Sequence, residues 1–151
     1  MIEKERKFIL KYMPENVCKT SSTIKQGYLM IDENQHLRIR IVNDHTAYIC
    51  YKTGIGMIRN EYEYEIPIAD GFELYESAEY KIEKNRHHIY DTNGKECMIL
   101  DIDEYKDGKA VVEIEFENEL TYIPDYCGDE VTGIKEWSNI WLATNNVILQ
   151  K

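Results

Sequence analysis

The chain has 151 residues, enough to bury a proper core, and reads as a single domain over 1–151. Hydrophobic residues make up 43% and charged residues 30%, a globular balance that argues against a disordered chain. The formal net charge of −10 makes a nucleic-acid backbone an unsuitable partner and favours metal cations, or ligands that arrive with them.

The first strand is expected over 2–10, where Glu3, Glu5 and Lys7 alternate and so project to one side. Residues 24–31 read as a second strand, followed by a turn at Asp32-Glu33-Asn34. Strands over 36–42 and 46–53 form a hairpin around Asn43-Asp44, and Gly54-Ile55-Gly56 turns the chain into a strand over 58–66 that Pro67 ends. Asp70 to Glu79 has helical spacing, with Asp70 as its N-cap. Strands over 80–91 and 95–103 join at Thr92-Asn93-Gly94, and Asp107-Gly108 turns into a strand over 110–117. Val131 to Ala143 is expected to be helical, with Thr132 or Ser138 as its cap. Short connections make the sheet mostly antiparallel, and twelve tyrosines with many β-branched residues favour strands.

The charged face recurs on strand after strand. Arg38 and Arg40 repeat it with cations, Glu61, Glu63 and Glu65 with acids, and Lys84 with Arg86 again with cations. Asp101 with Asp103, then Glu113, Glu115 and Glu117, complete the series. Opposite faces are apolar: Leu37, Ile39 and Ile41; Tyr62, Tyr64 and Ile66; Val112, Ile114 and Phe116. One such strand is ordinary in a half-solvated sheet. Segregation into acidic and basic pairs fits a closed barrel better, with charges lining a hydrated lumen and apolar residues outside under helices. Ligands, water or counter-ions must satisfy such an interior, which makes it a functional cavity.

The series resembles the triphosphate tunnel metalloenzymes, the CYTH superfamily. The opening Glu3-Lys-Glu5-Arg-Lys7 matches the family's Glu-x-Glu-x-Lys hallmark. Lys25-Gln-Gly-Tyr28-Leu, Leu37-Arg38-Ile-Arg40, a lone Lys52 before a Gly-rich turn, Arg59-Asn-Glu61-Tyr-Glu63, Ile82-Glu-Lys84-Asn-Arg86, Val112-Glu113-Ile-Glu115-Phe and Glu130-Val-Thr132 follow in order. Asp103 with Tyr105 fits the family's aspartate strand locally, Asp101 fits its usual distance to Glu113, and both are kept. The tryptophan usual before Glu-Val-Thr is absent, Tyr126-Cys127 standing there.

The resemblance implies a mainly β (α+β) fold: a closed eight-stranded antiparallel barrel with a few short covering helices. It implies divalent-metal-dependent hydrolysis of the terminal phosphate of inorganic triphosphate or of an organic triphosphate. Lys7, Arg38, Arg40, Lys52, Lys84 and Arg86 are assigned to substrate, and Glu3, Glu5, Glu113 and Glu115 to Mg²⁺ or Mn²⁺, two ions in all. Glu61, Glu63, Asp101 and Asp103 go to metal or to the attacking water, and Lys84 also joins the catalytic group. The class IV adenylyl cyclases and thiamine triphosphatases of the family are the alternatives. The cyclases carry a His-Phe pair upstream of the hallmark, where this chain has Met1-Ile2, so hydrolysis is favoured.

The expected partner is a small-molecule triphosphate: tripolyphosphate, or a nucleoside or thiamine triphosphate. No nucleic acid and no membrane are expected, since no apolar run spans a bilayer. Charges begin at Glu3, leaving no signal-peptide core, and four scattered cysteines fit free thiols in the cytoplasm. The oligomeric state stays open, a homodimer included. His87 and His88 read as structural or exposed, Tyr28 as core with the tunnel mouth as the alternative, Cys50 as a small filler beside Lys52, and Glu65 and Glu117 as a solvated rim.

Overall fold

The computed structural model describes residues 2–54, 57–94, 97–117, 119–120 and 122–145. Nine strands form one antiparallel sheet among these residues: β1 (Ile2–Leu10), β2 (Cys18–Ile31), β3 (Gln35–Val42), β4 (Thr46–Thr53), β5 (Ile58–Ile66), β6 (Tyr80–Asp91), β7 (Met98–Tyr105), β8 (Ala110–Glu115) and β9 (Cys127–Glu130). Their order is β5-β4-β3-β2-β6-β7-β8-β1-β9, and β5 also pairs with β1. That extra ladder closes an eight-stranded barrel and leaves β9 outside it. The closure uses β1 economically. Ile2 to Lys4 pair with β5, Glu5 to Ile9 with β8, and Phe8 to Leu10 with β9.

The turns are local in origin. Asn43 and Asp44 both take positive φ (53°), the left-handed backbone that a tight hairpin demands and that these two residue types tolerate. Pro67 cannot donate to a ladder, so it ends β5 and stands as N-cap of α1 (Ile68–Ser77). Asp70, expected at that cap, lies in the helix's first turn.

Apolar residues face outward from the barrel in two clusters. Ile39, Ile41 and Ala47 pack under Tyr75 of α1, which approaches the wall closely at Gly71. Phe8, Leu100, Ile102, Val112 and Ile114 pack under Tyr126 and the chain around it. The second cover is strand and loop rather than the expected helix. Tyr62 and Tyr64 on β5 remain 44% and 66% exposed, so the outer wall is only partly covered.

A third cluster lies inside. Tyr28, Ile82, Tyr105 and Val111 face the lumen and meet Leu142 and Ala143 of the C-terminal helix α2 (Asn139–Asn145). The expected helix over 131–143 is therefore displaced. A turn at Gly133 (φ 73°) and a 3-10 turn, Lys135–Trp137, come first. Ser138 then caps α2, its Oγ accepting from the Trp141 amide at 3.1 Å. Strand β2 starts at Cys18 rather than 24, β7 runs on to Tyr105 rather than ending at 103, and β8 stops at Glu115 rather than 117; residues 95 and 96 of the expected strand, and 55 and 56 of the expected turn, lie outside the described residues. No helix among the described residues is long and apolar enough to cross a membrane.

A charged tunnel as candidate active site

Strand alternation sends the charged residues into one lumen, as expected. The ladders set Arg38 opposite Cys50, Lys52 opposite Glu61, Arg86 opposite Asp103 and Lys7 opposite Glu113. Opposite charges therefore meet across three of these four ladders. The lumen encloses a cavity of about 750 Å³, with Lys7, Arg38, Arg40, Lys52 and Arg86 in its wall beside Glu5, Glu61, Glu63, Asp101, Glu113 and Glu115. The Glu3 side chain lies outside the described residues; its backbone pairs with Arg59.

On one side the cations and acids pair across β3, β4 and β5. Arg40 Nη2 meets Glu63 Oε2 at 2.5 Å, while Glu61 lies 3.5 Å from Lys52 Nζ and 4.0 Å from Arg38 Nη2. The Cys50 thiol, fully buried, donates to Glu61 Oε1 at 3.4 Å. Cys50, Glu61 and Glu63 offer ligand atoms that all lie within 4.8 Å of one another.

On the other side Asp103 is the hub. Its carboxylate accepts from Lys84 Nζ at 2.7 Å and takes a two-pronged contact from Arg86 at 2.8 and 2.9 Å. Burial opposes the Asp103 charge, but Lys84 and then Arg86 outweigh it and hold the carboxyl below its usual range. Lys84 has no exposed side-chain surface; burial pushes its ammonium down to about 8, and the attraction of Asp103 offsets only part of that. These two residues lie beneath the cavity wall, and Arg86 carries their unit into it. Arg86 also lies 3.6 Å from Asp101 and 3.7 Å from Glu113. Burial would raise the Glu113 carboxyl, yet Lys7 (3.5 Å away) and Arg86 hold it well below the usual carboxylate range.

The two aspartates thus differ. Asp103 is fully buried and saturated by cations, whereas Asp101 lines the cavity and is tied to His88 Nδ1 at 2.7 Å. His88 shares the inward phase of Lys84 and Arg86, a signal the strand alternation already contained. His87 faces out, bonded to Ser21 and Glu104. Arg59, in phase with Glu61 and Glu63, enters the cavity wall and pairs with Glu5, a contact the sequence reading left out. Ser138 and Asn139 also reach the wall. Asn139 Oδ1 accepts from Lys84 Nζ at 3.3 Å and from the Tyr105 hydroxyl, and the Trp137 carbonyl accepts from Lys7 Nζ at 3.2 Å. Tyr28 is both core and tunnel wall, 2% exposed and in contact with the cavity.

Carboxylates oppose one another directly at two points of the wall: Glu5 faces Glu115 across β1 and β8, and Asp101 faces Glu113 across β7 and β8. Like charges directly opposed destabilise a ladder. Arg59 at Glu5 and Arg86 beside Asp101 and Glu113 relieve them in part, and the opposed carboxylates offer oxygen donors of the kind a hard divalent cation takes.

The CYTH domain model matches residues 1–136. The chain is 34% identical over 151 residues to an inorganic triphosphatase of Acetivibrio thermocellus, covering 95% of this chain and 94% of that one. Its fold is similar to the crystal structure of the inorganic triphosphatase NE1496, with a TM-score of 0.68, 26% identity and 93% of each chain covered. The PH1012 protein of Pyrococcus horikoshii shares the fold at a TM-score of 0.60 with 16% identity, over 78% of this chain and 80% of that one.

Proposed function

Because the chain belongs to the CYTH domain family, we propose that its tunnel is the active site of a divalent-metal-dependent triphosphatase that hydrolyses the terminal phosphate of inorganic triphosphate. One observation carries this reading: a single cavity of about 750 Å³ joins the Arg38–Arg40–Lys52 wall to the opposed carboxylates of Glu5 and Glu115. Cations alone would suffice to bind a polyanion. Acids repel phosphate, so carboxylates facing the same cavity favour a metal lying between them and the phosphates.

A triphosphate carries about four to five negative charges near neutrality. Arg38, Arg40, Lys52 and Arg86 bind and orient it, arginine through paired donors and lysine as a point charge. Glu5, Glu113 and Glu115, with Glu3, would hold two ions of Mg²⁺ or Mn²⁺, which polarise phosphoryl oxygens and favour an ionised water. Glu61 and Glu63 on one side and Asp101 on the other present carboxylates to the cavity, assigned to metal or to orienting the attacking water. Asp103 fixes the Arg86 guanidinium against the cavity, so its donors are in place before charge redistributes. Lys84 braces Asp103 from beneath the cavity wall, and burial holds its own ammonium below the usual lysine range.

Product analysis tests the reading. Tripolyphosphate should yield orthophosphate and pyrophosphate. Cyclic AMP and pyrophosphate from ATP, with tripolyphosphate untouched, would replace it with cyclase chemistry.

A further inference from the structure

The tunnel wall contains one histidine that the scheme above does not use. His36 stands on β3 two residues before Arg38, on the same inward face, and lines the cavity. It is 9% exposed, and its Nε2 has no hydrogen-bond partner among the described residues. A buried polar atom without a partner costs stability, commonly about 1–3 kcal/mol, so a fold keeps one where a ligand supplies the partner. The ring is not loose, for it packs edge-on against Tyr28, with centroids 5.5 Å apart and planes at 72°. Lys52 stands opposite it in the β3–β4 ladder.

The groups facing His36 fix its charge. Burial disfavours the imidazolium first, and Arg38, Lys52 and Arg59 add repulsion, so the ring is pushed down to about 3 and is neutral at working pH. Tyr28 adds no charge on its side, since burial raises the phenol further above its ordinary range. The nearby acids are engaged elsewhere, Glu61 with Lys52 and Glu5 with Arg59.

We propose that His36 Nε2 is a substrate contact: a neutral N–H donor held in the cationic wall to hydrogen-bond a phosphoryl oxygen of the bound polyphosphate. This rests on the triphosphatase reading and adds to it a residue that supplies direction without charge. Lys52 attracts a polyanion as a point charge and the arginines through paired charged donors; a neutral imidazole clamped by Tyr28 donates one hydrogen bond along one line. It therefore helps to set the register of the phosphate chain along the tunnel.

Imidazole ¹⁵N spectra of the whole chain test this, since it has only four histidines. Spectra are taken at pH 7 in EDTA, with and without tripolyphosphate, while calorimetry follows binding. The His36 signal is the one that stays neutral to below pH 5, and His36→Gln confirms it. Tripolyphosphate should shift that signal while leaving the ring neutral. His36→Leu should raise KM about tenfold, the scale of one lost hydrogen bond to a charged group, and His36→Gln, which keeps an N–H, should recover most of it. Bound tripolyphosphate with an unmoved signal, full protonation of the ring on binding, or equal KM in wild type and His36→Leu would overturn the inference and leave the triphosphatase reading standing. No binding in EDTA together with no turnover of tripolyphosphate when Mg²⁺ or Mn²⁺ is supplied would remove both.

Discussion

Lys84 Nζ lies 2.7 Å from Asp103 Oδ2, and neither side chain has any exposed surface. Burial and the attraction of Asp103 pull the lysine in opposite directions, and burial wins. The sign follows. Lys84 ionises at about 8 in the folded chain and near its ordinary value of about 10.4 when unfolded. Between these values the unfolded chain holds more protons, so stability from this group rises with pH. The penalty for its buried charge is fully present below about pH 8 and fades toward about pH 10.4. Wild type should therefore gain on Lys84→Met across that window, by up to about 3 kcal/mol in urea unfolding. A gap that narrows as pH rises would show that the ion pair dominates instead.

Glu5→Gln keeps the size of the side chain and removes its charge. It should abolish turnover through loss of a metal ligand, and it also weakens the contact with Arg59. Thermal melting should still show a folded chain. Turnover at the wild-type rate would remove Glu5 from the metal site.

Arg38 is 4% exposed and Arg40 is half-buried, both with guanidinium groups in the tunnel wall. Arg38→Ala and Arg40→Ala should each raise KM and lower kcat, because phosphoryl charge moves in the transition state. Each lost contact to a charged group costs about 1.5–3 kcal/mol in kcat/KM. Wild-type kinetics in both variants would place the arginines outside the substrate path.

Gly71→Ala tests the helix seat. Glycine in a helix interior costs about 1 kcal/mol relative to alanine, so substitution would ordinarily stabilise. Here a Cβ would lie 2.3 Å from the Ala47 Cβ. Overpacking of this kind costs about 1–3 kcal/mol, so the variant should lose stability in urea, and adding Ala47→Gly should return part of it. A more stable Gly71→Ala would mean that α1 shifts freely on the barrel.

The barrel was legible because a period of two is a strong local signal. Glu61-Tyr62-Glu63 and Val112-Glu113-Ile114-Glu115 each declare an inner and an outer face, and a consistent charged face on every strand implies closure. Arg59 obeys the same alternation and enters the wall; His88 shares that phase but stays exposed, as read, where it meets Asp101. Other features had no local signal. Strand β9 is four residues long and owes its form to pairing with Phe8 and Leu10. Val131 to Trp137 carry helix-compatible residues, yet Gly133 and the lumen contacts of Lys7 and Lys84 with Trp137 and Asn139 decide where α2 begins. The division between Asp101 and Asp103 depends on tertiary packing, since both share one strand face.

The central claim is tested most directly by phosphate release from tripolyphosphate with the metal removed and restored. Wild-type chain should release orthophosphate with Mg²⁺ or Mn²⁺, fall to background in excess EDTA, and recover when either metal is added back. Full activity in excess EDTA, or no release of phosphate with either metal, would contradict the account.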